Sequence, residues 1–270
     1  MNVSNIIEEL ENTDSEFYNR IDKRRTVIKN FMQVGSKLAL ATVPLALGSL
    51  LNKAYGKVPD KILDVLNFAL TLEHLEYRFY ETAINTNKLI PAKDKINVIR
   101  DHEKAHVKFL QDTITQSGGK PVEEGKYDFT AKGTFPNVFS DYPQFLLVAQ
   151  AFEDTGVAAY KGQASKIKKS NEILEAALRI HSVEARHAAH IRFVRLTSGF
   201  DTKIRPWIIG NDNTKGTPLA PIYKHEKEHR QVLFNINGIG GYKTGNAGTS
   251  SFDEPLHKEE VLNIVAPFML

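Results

Sequence analysis

Six residues of metal-binding type, arranged as two copies of one pattern, constrain this chain more than any other feature. Glu103 and His106, in DHEKAHVKFL, form a Glu-x-x-His pair, and Glu184 and His187, in VEARHAAH, repeat it 81 residues later. Each pair has a glutamate of its own upstream, Glu73 in LTLEHLEYRFY and Glu153 in AFEDTGVAAY, 80 residues apart. Tyr80 and Tyr160 each follow that glutamate by seven residues. A helix turns once per 3.6 residues, so positions i and i+3 share a face and their side chains can converge on one ion. The chain therefore reads as two copies of one helix pair.

The apolar residues around these positions have helical spacing. The first stripe is Leu63, Leu66, Leu70, Glu73, Tyr77, Tyr80, Ile84, with Asp60 as its expected N-cap and Asn85 and Asn87 at its end. Pro91 is expected to open a second helix carrying Ile96, Ile99, Glu103, His106 and Leu110, which Gly118-Gly119 stops. A third starts near Tyr142-Pro143 and carries Leu146, Ala149, Glu153, Gly156 and Tyr160, with Lys166, Lys168 and Lys169 complementing the dipole at its C-terminus. Ser170 or Asn171 caps a fourth, with Ala177, Ile180, Glu184, His187, Ile191 and Val194, closed by Gly199. Short links make each pair antiparallel. The connection from Gly118 to Asp141, about two dozen residues, is too long for a hairpin turn. It suits a strap along helices roughly 40 Å long. The expected fold is an all-α four-helix bundle over residues 57–200, with one long crossover between helices 2 and 3.

Four ionised carboxylates facing a bundle interior are very costly unless paired. Two divalent cations balance them, with two neutral imidazoles completing the set. Oxygen-rich ligation with one nitrogen per ion suits two iron or manganese ions better than a structural zinc. A glutamate from two helices and Glu-x-x-His from the other two is the ligand set of di-iron and di-manganese carboxylate bundles. The bland alternative is a polar core that binds nothing. There is no cysteine, which excludes disulfides, cysteine-ligated clusters and thiol redox cycles. Net charge is only +3 and no basic cluster is interleaved with aromatics, so no nucleic-acid partner is expected.

This pattern resembles the ferritin-like superfamily, and in particular bacterial ferritin-like domain proteins related to plant desiccation-associated proteins. The resemblance covers about Pro59 to Gly199, and the segment FDEPLHKEEVLNIVAPF looks like that group's closing segment. It implies that Glu103 and Glu184 bridge two metals, that Glu73 and Glu153 are terminal ligands, and that His106 and His187 bind one metal each. Tyr80 and Tyr160 would stand behind the ligands, hydrogen-bonded to glutamates of the opposite half, or else serve as core aromatics. The chain departs from storage ferritins, whose site is asymmetric. It lacks the bundle methionine that holds haem in bacterioferritins, since Met1, Met32 and Met269 all lie outside the bundle. It also lacks the cysteines of rubrerythrins and their extra third-helix carboxylate, where Gly156 stands. His102 and Val183 precede the two Glu-x-x-His glutamates, where an aspartate is usual. Gly156 is unusual inside a helix; it leaves room beside the metals for oxygen or peroxide, or serves close helix packing.

Other candidates weigh less. Glu76 is expected to be a solvated flank rather than an extra ligand. His74, His102, His181 and His190 are expected at the surface or behind the ligands. His225 and His229 in KHEKEH have the i, i+4 spacing of a metal pair but read as a solvated turn.

Residues 1–56 read as an export signal and leader. A polar opening leads into KRRTVIKNF, then an apolar run from Leu38 to Leu51, then Ala54 and Gly56. Arg24 and Arg25, followed by Thr26, two apolar residues and Lys29, resemble the twin-arginine signal, with Val27 where phenylalanine is usual. The run falls short of the roughly 20 residues a spanning helix needs, and Pro44 interrupts it, so no permanent membrane anchor is expected. Residues 201–270 read as a loop-rich extension packed on the bundle, with Trp207, Ile208, Ile209, Val232 and Phe234 as anchors. One more helix is expected near Pro255 to Val265, capped by Asp253. Such a tail disfavours a 24-subunit storage cage and leaves a homodimer open.

These features point to a periplasmic or otherwise exported dinuclear protein that reacts with oxygen or peroxide, in ferroxidase-, peroxidase- or catalase-like chemistry. The alternative is a non-catalytic stress or desiccation-related binding protein with a structural metal site. No organic cofactor motif is present.

Overall fold

The computed structural model describes residues 58–86, 88–212, 214, 216–231, 233–236 and 246–270. The expected export segment, Asn87 and Val232 lie outside the described residues. Four long helices carry the two repeats: α1 (Asp60–Asn85), α2 (Ile96–Gln116), α3 (Tyr142–Ile167) and α4 (Asn171–Thr197). α1 packs on α2, α3 on α4, and α1 on α3, as in a four-helix bundle with one long crossover. No helix among the described residues is long and apolar enough to cross a membrane.

The repeat extends to how its helices stop. After α2, Gly118 takes a left-handed φ of 78°, its N–H donates to the Thr115 carbonyl, and the Gly119 N–H donates to Ile114. After α4, Gly199 has φ 75°, and the N–H groups of Gly199 and Phe200 donate to Leu196 and Arg195. Both ends are Schellman motifs, which need a residue without a Cβ penalty at positive φ.

Helix starts differ from expectation. Pro59, not Asp60, holds the N-cap position of α1, and Asp60 is the first helical residue, where its charge complements the dipole. Ser170 does occupy the N-cap position of α4, without a side-chain cap bond. Pro91 opens only a 3-10 turn over Ala92–Asp94, and Lys95 at φ 55° separates that turn from α2. The turn is held from the other half of the bundle: Tyr142 donates its hydroxyl to Asp94 Oδ2 at 2.8 Å, and the His190 Nε2 lies 2.7 Å from the Asp94 carbonyl.

The crossover lies along α1. Asn67 donates to the Lys120 carbonyl and accepts from the Val122 N–H, Arg78 pairs with Glu124, and Phe129 packs on Phe79. A helix already packed on two neighbours thereby loses its wet face, and from Phe68 to Glu76 every residue of α1 except Thr71 is buried.

Residues 201–270 cover α3 in the same way. The Leu256 N–H donates to Ala158 of α3, and a Cβ on Gly162 would stand 2.0 Å from the Leu256 carbonyl oxygen, so only glycine fits there. The extension holds a two-residue antiparallel ladder of β1 (Arg230–Gln231) with β2 (Phe234–Asn235), a single turn α5 (Asn246–Thr249), and α6 (Lys258–Val265). α6 starts at His257, whose N–H donates to Glu260, and not at Asp253. Of the expected anchors, Ile208 is buried and Ile209 partly so, whereas Trp207 is 53% and Phe234 72% exposed. Phe234 sits on the small hairpin rather than over the bundle. Tyr223, Leu256, Val261 and Phe268 do the anchoring. A buried ionic cluster completes the attachment: Arg192, 1% exposed, pairs with Asp154 at 2.5 Å and with Asp212 at 2.8 Å, and Tyr223 donates to Asp154 at 2.6 Å.

Candidate metal centre

The helices bring all six expected residues together at mid-bundle. Glu73 comes from α1, Glu103 and His106 from α2, Glu153 from α3, and Glu184 and His187 from α4, and all are buried. They form two overlapping groups, Glu73, Glu103, His106, Glu184 and Glu103, Glu153, Glu184, His187, in each of which one atom per residue lies within 4.8 Å of the others. His106 Nδ1 stands 3.1 Å from Glu73 Oε2, 3.1 Å from Glu103 Oε2 and 3.0 Å from Glu184 Oε1. His187 Nδ1 stands 2.7 Å from Glu103 Oε1, 3.4 Å from Glu153 Oε2 and 3.4 Å from Glu184 Oε2. Glu103 and Glu184 thus turn one oxygen to each group, while Glu73 and Glu153 serve one group each.

Their outer oxygens are held across the repeat. Tyr80 donates to Glu153 Oε1 and Tyr160 to Glu73 Oε1, both at 2.5 Å. Each tyrosine therefore supports the glutamate of the opposite half and leaves that glutamate's Oε2 facing inward. His102 stands behind His187: its Nδ1 lies 2.9 Å from His187 Nε2, with the rings stacked at 16°. Burial, followed by the neighbouring His187, lowers the His102 pKa, so a neutral His102 accepts the His187 Nε2 proton and leaves Nδ1 directed at the carboxylates.

The chemistry of the site fits cations. Glu103 Oε1, Glu153 Oε2, both oxygens of Glu184 and His187 Nδ1 are buried without a hydrogen-bond partner, although ring nitrogens or carboxylate oxygens stand 2.7–3.4 Å away. Buried polar atoms are normally satisfied, and orphans converging on one spot mark a missing electropositive partner. Electrostatics agree. Burial pushes Glu73 well above the carboxylate range and Glu153 up to about 8. Burial also opposes charge on His106 and His187, but the surrounding carboxylates, Glu73 and Glu153 foremost, raise both well above an ordinary histidine. Burial works against Glu103 too, yet His187 and His106 bring it below its usual value. The site thus attracts as much positive charge as it can hold.

Several side chains differ from expectation. Glu76 is not a solvated flank but 3% exposed, because α1 packs against α2, α3 and the crossover; burial, followed by repulsion from Glu184, pushes its pKa well up. The signal available was its i+3 spacing from Glu73, which puts both on one face. His74 is buried beneath the crossover and His181 is partly buried, neither belonging to the two groups. His225 and His229 are exposed in a turn, and His225 lies 3.3 Å from Glu260. An apolar cavity of about 30 Å³ lies on the far side of Tyr160, lined by Ala69, Leu72, Phe109, Leu110 and Gln163 among others and by none of the six residues.

Residues 61–197, just over half of the chain, match the family model described as a ferritin-like domain. No curated protein matches the chain.

Proposed function

The chain belongs to the ferritin-like domain family, and we propose that it is a dinuclear iron or manganese protein whose ions react with dioxygen or peroxide. One observation carries this reading: two three-glutamate, one-histidine groups share Glu103 and Glu184, and Glu103 Oε1, Glu153 Oε2 and both oxygens of Glu184 are buried there without a hydrogen-bond partner. Glu73 and His106 would hold one ion, Glu153 and His187 the other, and the shared glutamates would bridge them. The ions would supply redox equivalents for ferroxidase-, peroxidase- or catalase-like chemistry.

The chain's own residues prepare the site. Tyr80 and Tyr160 fix the terminal carboxylates through their outer oxygens, so the inner ones need little reorganisation. His102 orients the His187 ring. The four helices exclude bulk water, which strengthens every charge interaction within.

The test is elemental analysis of protein purified without chelator, paired with peroxide and oxygen consumption on the same sample. About two iron or manganese ions per chain with turnover supports the reading. No metal after reconstitution refutes it. The near-complete burial of all six residues favours a second reading, a non-catalytic stress or desiccation-related protein stabilised by its ions. Two bound ions that raise the melting temperature without turnover select it. Export to the periplasm rests on the twin-arginine-like segment alone, and recovery of the chain in a periplasmic fraction, lost on Arg24→Lys with Arg25→Lys, tests it.

A further inference from the structure

The 80-residue duplication breaks beside the site at one informative place. Three residues after Glu73 stands Glu76, and three residues after Glu153 stands Gly156. The two positions face each other. A Cβ on Gly156 would lie 3.2 Å from Glu76 Oε1 and 3.9 Å from Glu184 Oε2, the oxygen that Glu184 turns toward His187. One notch therefore borders both the extra carboxyl group and the second ion position. Gly156 lies inside α3 without a positive φ, so its backbone does not call for glycine, which costs about 1 kcal/mol there relative to alanine. What glycine provides is space, and the space is taken up by Glu76. A further carboxyl group buried in a carboxylate-rich core is a liability unless a cation is there to use it.

We propose that Glu76 is a seventh protein ligand, an additional carboxylate for the ion held by Glu153 and His187, admitted through the notch at Gly156. Glu76 lies outside the two four-residue groups, so ligation takes a rotation of its side chain toward Glu184. This inference rests on the dinuclear reading. Charge gives it a consequence: four carboxylates match two divalent ions, and a fifth matches one divalent and one trivalent ion. Glu76 therefore makes the His187 position the one suited to a trivalent ion.

The experiment titrates metal-free, full-length protein with Co(II) and, separately, with Ga(III) supplied as its nitrilotriacetate complex. Wild type is compared with Glu76→Gln, Gly156→Ala and the double variant, each checked for folding by circular dichroism. Wild type should bind two Co(II). Glu76→Gln should weaken Ga(III) binding at one position by roughly 10- to 100-fold, with a smaller loss for Co(II). Gly156→Ala should reproduce that loss by displacing Glu76, and the double variant should be no worse than either single one. Two Co(II) bound with unchanged Ga(III) affinity in folded Glu76→Gln overturns the role of Glu76 alone. Failure of wild type to bind any metal overturns the dinuclear reading with it.

Discussion

Loading the centre with divalent metal should expel protons, and the sign follows from the charges around it. Without metal, burial pushes Glu73 well above the carboxylate range and Glu153 up to about 8, so that Glu153 holds a proton at neutral pH. Burial opposes charge on His106 and His187, but the carboxylates around them raise both well above an ordinary histidine. Metal ligation needs neutral imidazole and ionised carboxylate, so the protons these groups hold must leave as the ions enter. Each proton released makes the affinity rise about 10-fold per pH unit, about 1.4 kcal/mol. The sign is fixed by the raised pKa values: affinity climbs with pH through the neutral range, where Glu153 still holds a proton. Calorimetric titration with Mn(II) at pH 7, in two buffers of different ionisation enthalpy, counts the protons directly. No net proton release, or an affinity flat between pH 6 and 8, would refute the charge assignment.

Alanine at Glu103 or Glu184 should abolish binding of both ions, since each serves both groups, whereas Glu73→Ala should spare the His187 group. Elemental analysis after desalting distinguishes these outcomes, and equal losses from all three variants would contradict the shared role. The metal-free protein should lose stability as pH rises from about 4.5 to 8. The raised Glu153 pKa alone contributes roughly 1.4 kcal/mol per pH unit across that window, and denaturant melts at several pH values would expose a flat or opposite trend. Gly162→Ala should cost on the order of 1–3 kcal/mol or more, because its Cβ would meet the Leu256 carbonyl at 2.0 Å; an unchanged melting temperature would mean that the extension does not hold that contact. Asp154→Ala should destabilise by about 3 kcal/mol, since it leaves Arg192 buried with only Asp212 to pair with, and a thermal melt measures it.

Helix identity, the crossover and the convergence of six polar residues could be read from the residues in order, because each rests on local periodicity. An i+3 pair shares a face whatever surrounds the helix, and an 80-residue duplication carries the same geometry into both halves. The same locality explains the misjudged details. Asp60 looks like a cap only until Pro59 is seen to take that position, and Pro91 looks like a helix start until Tyr142 and His190 hold the Asp94 turn in place. The burial of Glu76 and His74 depends on the crossover lying along α1, and the exposure of Trp207 and Phe234 on where the extension meets α3. The His102 contact with His187 joins residues 85 positions apart on different helices. Periodicity says which residues share a face of one helix; what stands opposite that face depends on the packing of distant segments, and only the folded chain decides it.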